Sequence, residues 1–561
     1  MQSQADRTFD VLVVGSGASG GWVAKRLAEA GVRVGLLDAG RVLTDGDYSE
    51  HTPAFELRYR DMAPEVIRRT RPRQKDCYAC MEWNYDWFRN DLEEPYTTPE
   101  SKPFAWMGRM QVVGGRTNVW GRQSYRFSDL DFKAASRDGY GEDWPLACAD
   151  LAPYYDLVEE YVGITGMAEG HPALPDSRFQ PPMGLTCAET LLRNRVKDRL
   201  GWTVTLGRSA NLTRPLNGRA PCHYCGPCER GCITHSYFNS AFTTVADALA
   251  TGRCTLIPDA MAYKVLVDPD RHRARGVLYI DRATREPREA LARVVVLCAQ
   301  SLESVRILLN SATRQDPAGL ANSSGVLGHY LMDHISGAGA TGELEEAAEP
   351  VIPGSPNRPD GIYVIRFRNT TERLDPHFLR GYGFQGGGGS HLNWNAPGFG
   401  AELKKRISDP VTTLRLGSFG ECLARYESFI EVDEDVVDTF GIPVLKIHMT
   451  YGDNERSMLP DMAASAAEML AAAGARNIRP FVPKDLVPGS AIHEVGVARM
   501  GKDPKSSVLS QYQQAWDVGN LFVMDGAGFV SSACQNPTLT IMALAVRSTD
   551  YLLGEMKRGN V

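Results

Sequence analysis

Three glycines and one acid form the first chemical unit of the chain. Gly15, Gly17 and Gly20 stand in the spacing GxGxxG, and Asp38 follows about 20 residues later. Glycine at the first position permits a tight turn. At the second it lets backbone approach a pyrophosphate, and at the third it lets a helix lie close on a strand. The N–H groups left free at a helix start, with the positive end of the helix dipole, favour phosphate there. A carboxylate at Asp38 accepts hydrogen bonds from both hydroxyls of a ribose and disfavours a 2′-phosphate. The set reads as a dinucleotide site. A glycine-rich turn in another α/β fold is the alternative, and the N-terminal position favours FAD over NAD.

A second unit is built on sulfur. Cys222, Cys225, Cys228 and Cys232 read C-x-x-C-x-x-C-x-x-x-C, the spacing of bacterial ferredoxin runs. Soft thiolates close together on a loop suit an iron–sulfur cluster. Ile233 stands where ferredoxins usually carry proline. The fourth cysteine of such runs can serve a second cluster, so a 3Fe–4S centre on three ligands stands beside a 4Fe–4S centre. Cys77 and Cys80 form a separate C-x-x-C. Combined with Cys222 and Cys225 they would make a four-cysteine zinc site, and unligated thiols are the third reading. Cys148, Cys187, Cys254, Cys298, Cys422 and Cys534 are scattered and read as core residues.

These groups need elements to hold them. Phe9–Val14, FDVLVV, is a β-branched run that predicts a buried parallel strand. The stretch after Gly20 predicts a helix and then a second strand ending at Asp38. The run VVVLCA at 294–299 is again strand-sized, and no run reaches the roughly 18 apolar residues of a spanning helix. GYGFQGGGGSHLNW at 381–394 reads as a strand entering a glycine loop, either a tight turn or a backbone lying near substrate.

Three later blocks carry a family likeness. They are Gly114-Gly115-Arg116-Thr117-Asn118-Val119-Trp120-Gly121, then HEVGVARMG at 493–501, then NLFVMDGAGF at 520–529 followed by Gln535-Asn536-Pro537. With the opening GxGxxG, these resemble the glucose-methanol-choline (GMC) oxidoreductases from about Phe9 to about Leu553. The resemblance implies FAD as cofactor, with His493 and Asn536 facing the flavin as catalytic residues. An imidazole near neutrality is a natural acceptor for an alcohol proton, and a fixed amide can orient the substrate oxygen. The resemblance also assigns Gly114, Gly115, Thr117, Asn118, Asp525, Gly526 and Asn536 to FAD binding beside Gly15, Gly17, Gly20 and Asp38. Val119 occupies the position where some relatives carry a flavin-linking histidine, so FAD is expected to bind noncovalently. His448 reads as a structural strand residue, and His334 lies in a shared stretch without an assigned role.

Several positions depart from the common pattern: Arg116 and Thr117 follow the double glycine, Gln300 stands where glycine is common, and Val305 where proline is common. These departures resemble the bacterial sugar-dehydrogenase branch, which includes glucoside 3-dehydrogenase and gluconate, fructose and glucose dehydrogenases. Several relatives there carry a cluster near the flavin, so the resemblance implies an iron–sulfur centre on Cys222, Cys225, Cys228 and Cys232 as the first of the three readings.

The expected fold is α/β, a Rossmann-like FAD domain interleaved with an α+β substrate domain built on an antiparallel sheet. Segments 1–50, 105–140, 221–333 and 488–561 go to the FAD domain, and 51–104, 141–220 and 334–487 to the substrate domain. The expected function is FAD-dependent oxidation of a secondary hydroxyl of a sugar or glycoside, at the 3-position in one version, to a ketone. Electrons would pass to an external acceptor such as a cytochrome or quinone-linked subunit, with a small subunit as partner. A sugar or alcohol oxidase producing hydrogen peroxide is the alternative. A noncatalytic FAD-bearing scaffold is a third reading, opposed by the retention of both His493 and Asn536.

Composition sets the outer limits. The 561 residues carry 61 Lys plus Arg against 68 Asp plus Glu, a net charge of -7 with no basic block, which argues against nucleic acid. Twelve cysteines are too few for a disulfide scaffold of this length. The opening MQSQADRTFD has no signal-peptide pattern. The expected compartment is therefore the cytoplasm, or the periplasm by co-export with a partner subunit.

Overall fold

Leu12 and Val14 enter one core cluster while Val11 and Val13 enter another, because successive strand residues point to opposite faces. This is why FDVLVV is apolar throughout: the strand is buried on both sides. The computed structural model describes residues 9–60, 65–349, 358–371, 374–393 and 396–561. In it Phe9–Val14 pairs in parallel with Val34–Leu37 on one side and with the end of Glu286–Leu297 on the other. Cys254–Ile257 and Leu521–Val523 extend the parallel part outward. The first half of Glu286–Leu297 belongs instead to an antiparallel meander with Arg273–Asp281 and Ala260–Asp268. One long strand thus joins the two parts of a seven-stranded sheet. The helices Ala18–Glu29 and Thr538–Arg558 pack on each other.

The second sheet has six antiparallel strands in the order Arg476–Phe481, Ile335–Glu343, Pro410–Gly420, Tyr382–Leu392, Ile362–Val364 and Val204–Leu206. The helix Asp453–Ala473 packs on it, with Cys187–Leu200 alongside. Strands of the first sheet come from 9–37, 254–297 and 521–523, and those of the second from 204–206 and 335–481, so the chain weaves twice between them. This is the expected α/β architecture with an interleaved antiparallel substrate sheet. Among the described residues, no helix is long and apolar enough to cross a membrane.

The glycine run departs from expectation. Gly386–Gly389 does not form a loop but continues the strand Tyr382–Leu392 in unbroken register with Pro410–Gly420; Trp394 lies outside the described residues. A Cβ on Gly387 would sit 2.7 Å from Glu189 Oε1, and Thr186 Oγ1 donates to Gly388 O at 2.7 Å. The glycines let the start of the helix Cys187–Leu200 lie directly on the strand.

Candidate active site

Each glycine of the opening motif meets a different constraint. Gly15 has φ +98°, and a Cβ there would lie 2.3 Å from Cys298 O. A Cβ on Gly20 would lie 1.8 Å from Gly15 O, so this position sets how closely helix and strand approach. At Gly17 the nearest atom to a Cβ is Gly114 O at 3.9 Å. Gly17 is open because it faces a cavity of about 520 Å³. It is also the N-cap of Ala18–Glu29 and no side chain caps that end, which leaves the first N–H groups free for an anion.

The cavity is lined by Gly15, Gly17, Asp38, Gly115, Thr117, Val119, His493, Asp525, Gly526 and Asn536. Gly20, Gly114 and Asn118 stand behind it. Gly114 turns with φ +90° and donates its N–H to Ser16 Oγ at 2.8 Å. Asn118 Nδ2 donates to Val113 O at 3.1 Å and Gly115 O at 2.8 Å, which fixes the loop. The buried Asp38 carboxylate accepts from Ser16 N at 3.0 Å and Gly40 N at 2.9 Å; burial pushes its carboxyl up and these bonds oppose it. Asp525 accepts from Ala527 N at 2.9 Å and Ser304 Oγ at 2.6 Å, with burial pushing it up to about 6. An open glycine, an uncapped helix start and a buried carboxylate along one cavity fit a flavin dinucleotide.

At the other part of the cavity wall a chain of hydrogen bonds has only one consistent direction. Ala533 O, a carbonyl, can only accept, so His334 Nε2 donates to it at 2.9 Å. In a neutral imidazole His334 Nδ1 is then an acceptor, and His493 Nδ1 donates to it at 2.8 Å. His493 Nε2 is therefore unprotonated and accepts from Asn536 Nδ2 at 3.2 Å. Asn536 Oδ1 in turn accepts from Gln385 Nε2 at 2.6 Å. Burial pulls the His334 imidazole down to about 4 and His493 well below its usual value, so both stay neutral. His493 thus presents a bare Nε2 to the cavity, as a proton acceptor must.

The backbone around His493 is pinned as well. Asp333 accepts from His493 N at 3.0 Å and Ala491 N at 3.2 Å, and burial pushes its carboxyl up to about 7. Among the described residues, Asp333, His334 and His493 are the one group of three donors within 4.8 Å of one another. Their atoms are committed to the bonds just given, which makes the group a hydrogen-bond relay. Two departures from the family pattern also meet here. Arg116 Nη1 donates to Glu494 Oε2 at 2.7 Å, and Gln300 Nε2 donates to the same oxygen at 3.2 Å. His448 bonds Glu431 at 2.9 Å on the small Phe429–Val437 and Pro443–His448 ribbon, a structural role.

The cysteine loop stands beside the cavity wall. Arg122, which lines the cavity, lies 3.8 Å from Glu229. Asn84 Nδ2 donates to Ala79 O at 2.8 Å and Glu229 O at 3.3 Å, tying the Cys77–Cys80 turn to this loop. Tyr224 N points at Cys222 Sγ at 3.4 Å and Ser236 N at Cys232 Sγ at 3.3 Å. Four thiolates on one zinc ion stand about 3.8 Å apart. No three of the described cysteines fall within 4.8 Å, so the two C-x-x-C pairs are not arranged about a single ion. Burial pushes Cys225 up to about 11 and Cys228 up to about 12, which favours the thiol form.

His334, Gln385, Asp333 and Glu494 carry much of this geometry and had no role in the sequence reading. The DH step at Asp333-His334, set just before a strand, was the one local signal for any of them.

Comparison with known proteins follows the same lines. Models of the GMC oxidoreductase family match residues 9–336 and 424–545. The 2-methyl-1,2-propanediol dehydrogenase of Mycolicibacterium austroafricanum is 31% identical over 98% of this chain and 96% of its own. The fructose dehydrogenase large subunit of Gluconobacter japonicus is 25% identical over 98% of each. The crystal structure of pyridoxine 4-oxidase from Mesorbium loti has the same fold, with a TM-score of 0.60 at 16% identity, covering 98% of this chain and 99% of that one.

Proposed function

The chain belongs to the GMC oxidoreductase family, an FAD-dependent family acting on CH–OH groups, and on that premise we propose that it is a dehydrogenase of sugars, glycosides or related polyols. The observation that carries this reading is the bare His493 Nε2 held against Asn536 Nδ2 at 3.2 Å on the cavity wall. A substrate hydroxyl enters between the two groups. Its O–H donates to His493 Nε2 while Asn536 Nδ2 donates to its oxygen. As the hydroxyl proton moves to His493 the carbinol carbon gives up a hydride and becomes a carbonyl; FAD, held along Gly15, Gly17, Asp38 and Asp525, would supply the acceptor for that hydride. The low basicity that burial imposes on His493 then favours loss of the acquired proton.

A secondary hydroxyl, at the 3-position of a glycoside, is the finer form of this proposal. Reoxidation falls to an external acceptor and a partner subunit, in keeping with the large-subunit relative. An iron–sulfur centre on Cys222, Cys225, Cys228 and Cys232 is supported by their spacing and by the two N–H groups aimed at sulfur; hydrogen bonds to sulfur are a known lever on cluster potential. The experiment is an anaerobic assay of FAD-loaded protein against a panel of sugars, glycosides and diols with an artificial acceptor. Iron and acid-labile sulfide are measured on the same sample. Turnover with dyes but not with dioxygen supports the dehydrogenase. Stoichiometric peroxide replaces it with the oxidase.

A further inference from the structure

The geometry points to a vicinal diol as the recognition unit of the site, with Gln385 reading the hydroxyl next to the one being oxidised. This rests on the reading of His493 and Asn536 given above. The hydrogen-bond chain that starts at Ala533 O ends on Gln385, whose Nε2 donates to Asn536 Oδ1 at 2.6 Å. Its direction fixes the Gln385 amide: one N–H is spent on Asn536, while Oε1 has no partner among the described residues. Gln385 lines the same cavity as His493 and Asn536 and is only half-buried. It therefore offers an oriented acceptor, and its second N–H, one amide away from the proton acceptor.

The spacing suits adjacent carbons. Two gauche hydroxyl oxygens on neighbouring carbons stand about one hydrogen-bond length apart, roughly 3 Å. The consecutive polar steps here, 3.2 Å from His493 to Asn536 and 2.6 Å from Asn536 to Gln385, have the same scale. Phe419, with its ring 6.0 Å from that of His493, supplies an apolar wall for the carbon skeleton. The backbone of Gln385 is fixed by the continuous pairing of Tyr382–Leu392 with Pro410–Gly420, and the bond to Asn536 orients its amide. A relative spanning nearly the whole chain is named for a 1,2-diol, which agrees with this reading.

The test reduces the FAD-loaded protein anaerobically, in stopped flow, with matched pairs. One pair is propane-1,2-diol and propan-2-ol, the other a methyl glucoside and its 2,4-dideoxy counterpart, whose 3-hydroxyl has no neighbouring hydroxyl. The diol member is expected to win by at least about tenfold in the second-order rate of flavin bleaching. Preference in the short pair alone assigns a small diol, and preference in the sugar pair alone a glycoside. Gln385→Leu is expected to erase the preference. Any loss common to both members belongs to Asn536 losing its partner, so the ratio is the readout. Gln385→Met replaces the leucine variant where flavin is not retained. In parallel, dissociation constants for both members are titrated by flavin absorbance in His493→Ala protein, with and without Gln385→Leu. A wild-type ratio near one, or a ratio unchanged by Gln385→Leu, overturns the diol assignment while leaving the dehydrogenase intact. Bleaching by dithionite but by no alcohol overturns the dehydrogenase; the titration then still decides whether Gln385 binds a diol.

Discussion

Arg116 and Gln300 end on the same oxygen, Glu494 Oε2, at 2.7 and 3.2 Å. Arg116 also reaches Ile492 O at 3.2 Å and Gly108 O at 2.9 Å, so it fastens both neighbours of His493 to the loop that precedes the double glycine. Gln300 holds φ +83°, a conformation that explains why glycine is common there, and its side chain caps the helix Ser301–Leu309. The two unusual residues form one device around a fully buried carboxylate. Arg116→Ala strands that charge. A cost of about 3 kcal/mol is expected, at the low end for a broken buried pair because Arg116 is partly exposed. Denaturant titration of Arg116→Ala, Glu494→Gln and the double variant checks it; the double variant should be the less damaged of the two Arg116-lacking proteins.

His493→Ala should slow flavin reduction by alcohol about 10²–10⁴-fold while the flavin remains bound. Asn536→Ala should also slow it, because Nε2 loses the group that orients the substrate oxygen. Single-turnover reduction is the measurement, and near-normal bleaching in His493→Ala would remove that residue from the reaction.

The pH profile follows from the direction of the histidine shifts. His493 lies well below 6.5, so it keeps its acceptor form as pH falls through the ordinary histidine range. The facing groups are His334, itself held neutral, the Arg116–Glu494 pair, and Asp333, whose carboxyl at about 7 bonds the backbone N–H groups of His493 and Ala491. The rate constant for flavin reduction should stay level down to pH 6.5 and fall only below it. An acid limb centred at or above 6.5 that persists in Asp333→Asn protein would contradict the neutral relay. Stability changes in the matching sense. His334, at about 4 when folded, refuses a proton that the unfolded chain takes near 6.5. Its contribution is complete above pH 6.5 and is lost progressively as pH falls toward 4.

Val119 is buried in the cavity wall and offers no nucleophile. Acid precipitation should therefore leave all flavin in the supernatant, as absorbance of the two fractions will show.

Gly17→Ala and Gly20→Ala should fail differently. A methyl on Gly17 meets no protein atom closer than 3.9 Å, so the protein should fold yet bind FAD weakly, because the methyl occupies ligand space. A methyl on Gly20 falls 1.8 Å from Gly15 O and should abolish soluble expression. Circular dichroism and flavin content separate the two cases.

The sequence makes the opening unit legible because its constraints are local: Gly15 and Gly20 press on each other within one turn. The relay is different in kind. His334 meets His493 across 159 positions, Gln385 meets Asn536 across 151, and Arg116 meets Glu494 across 378. No periodicity or spacing encodes such pairs, and Gln385 has no local signature at all. The glycine run misled because four glycines in a row ordinarily mark a turn. Here a neighbouring helix and a long antiparallel partner override that preference.

The cavity takes Gly15 and Gly17 from one part of the sequence and His493, Asp525, Asn536 and Ile541 from 476 to 526 residues later. During synthesis, at about 5–20 residues per second, the two halves of this wall are separated by roughly half a minute to two minutes. A nascent chain therefore has its glycine turn long before it has a complete cavity, and its central strand waits for Leu521–Val523 to extend the sheet. Cofactor capture can only follow synthesis of these last wall residues, and a chain terminated before them leaves an apolar, unfilled cleft for chaperones or proteases to recognise.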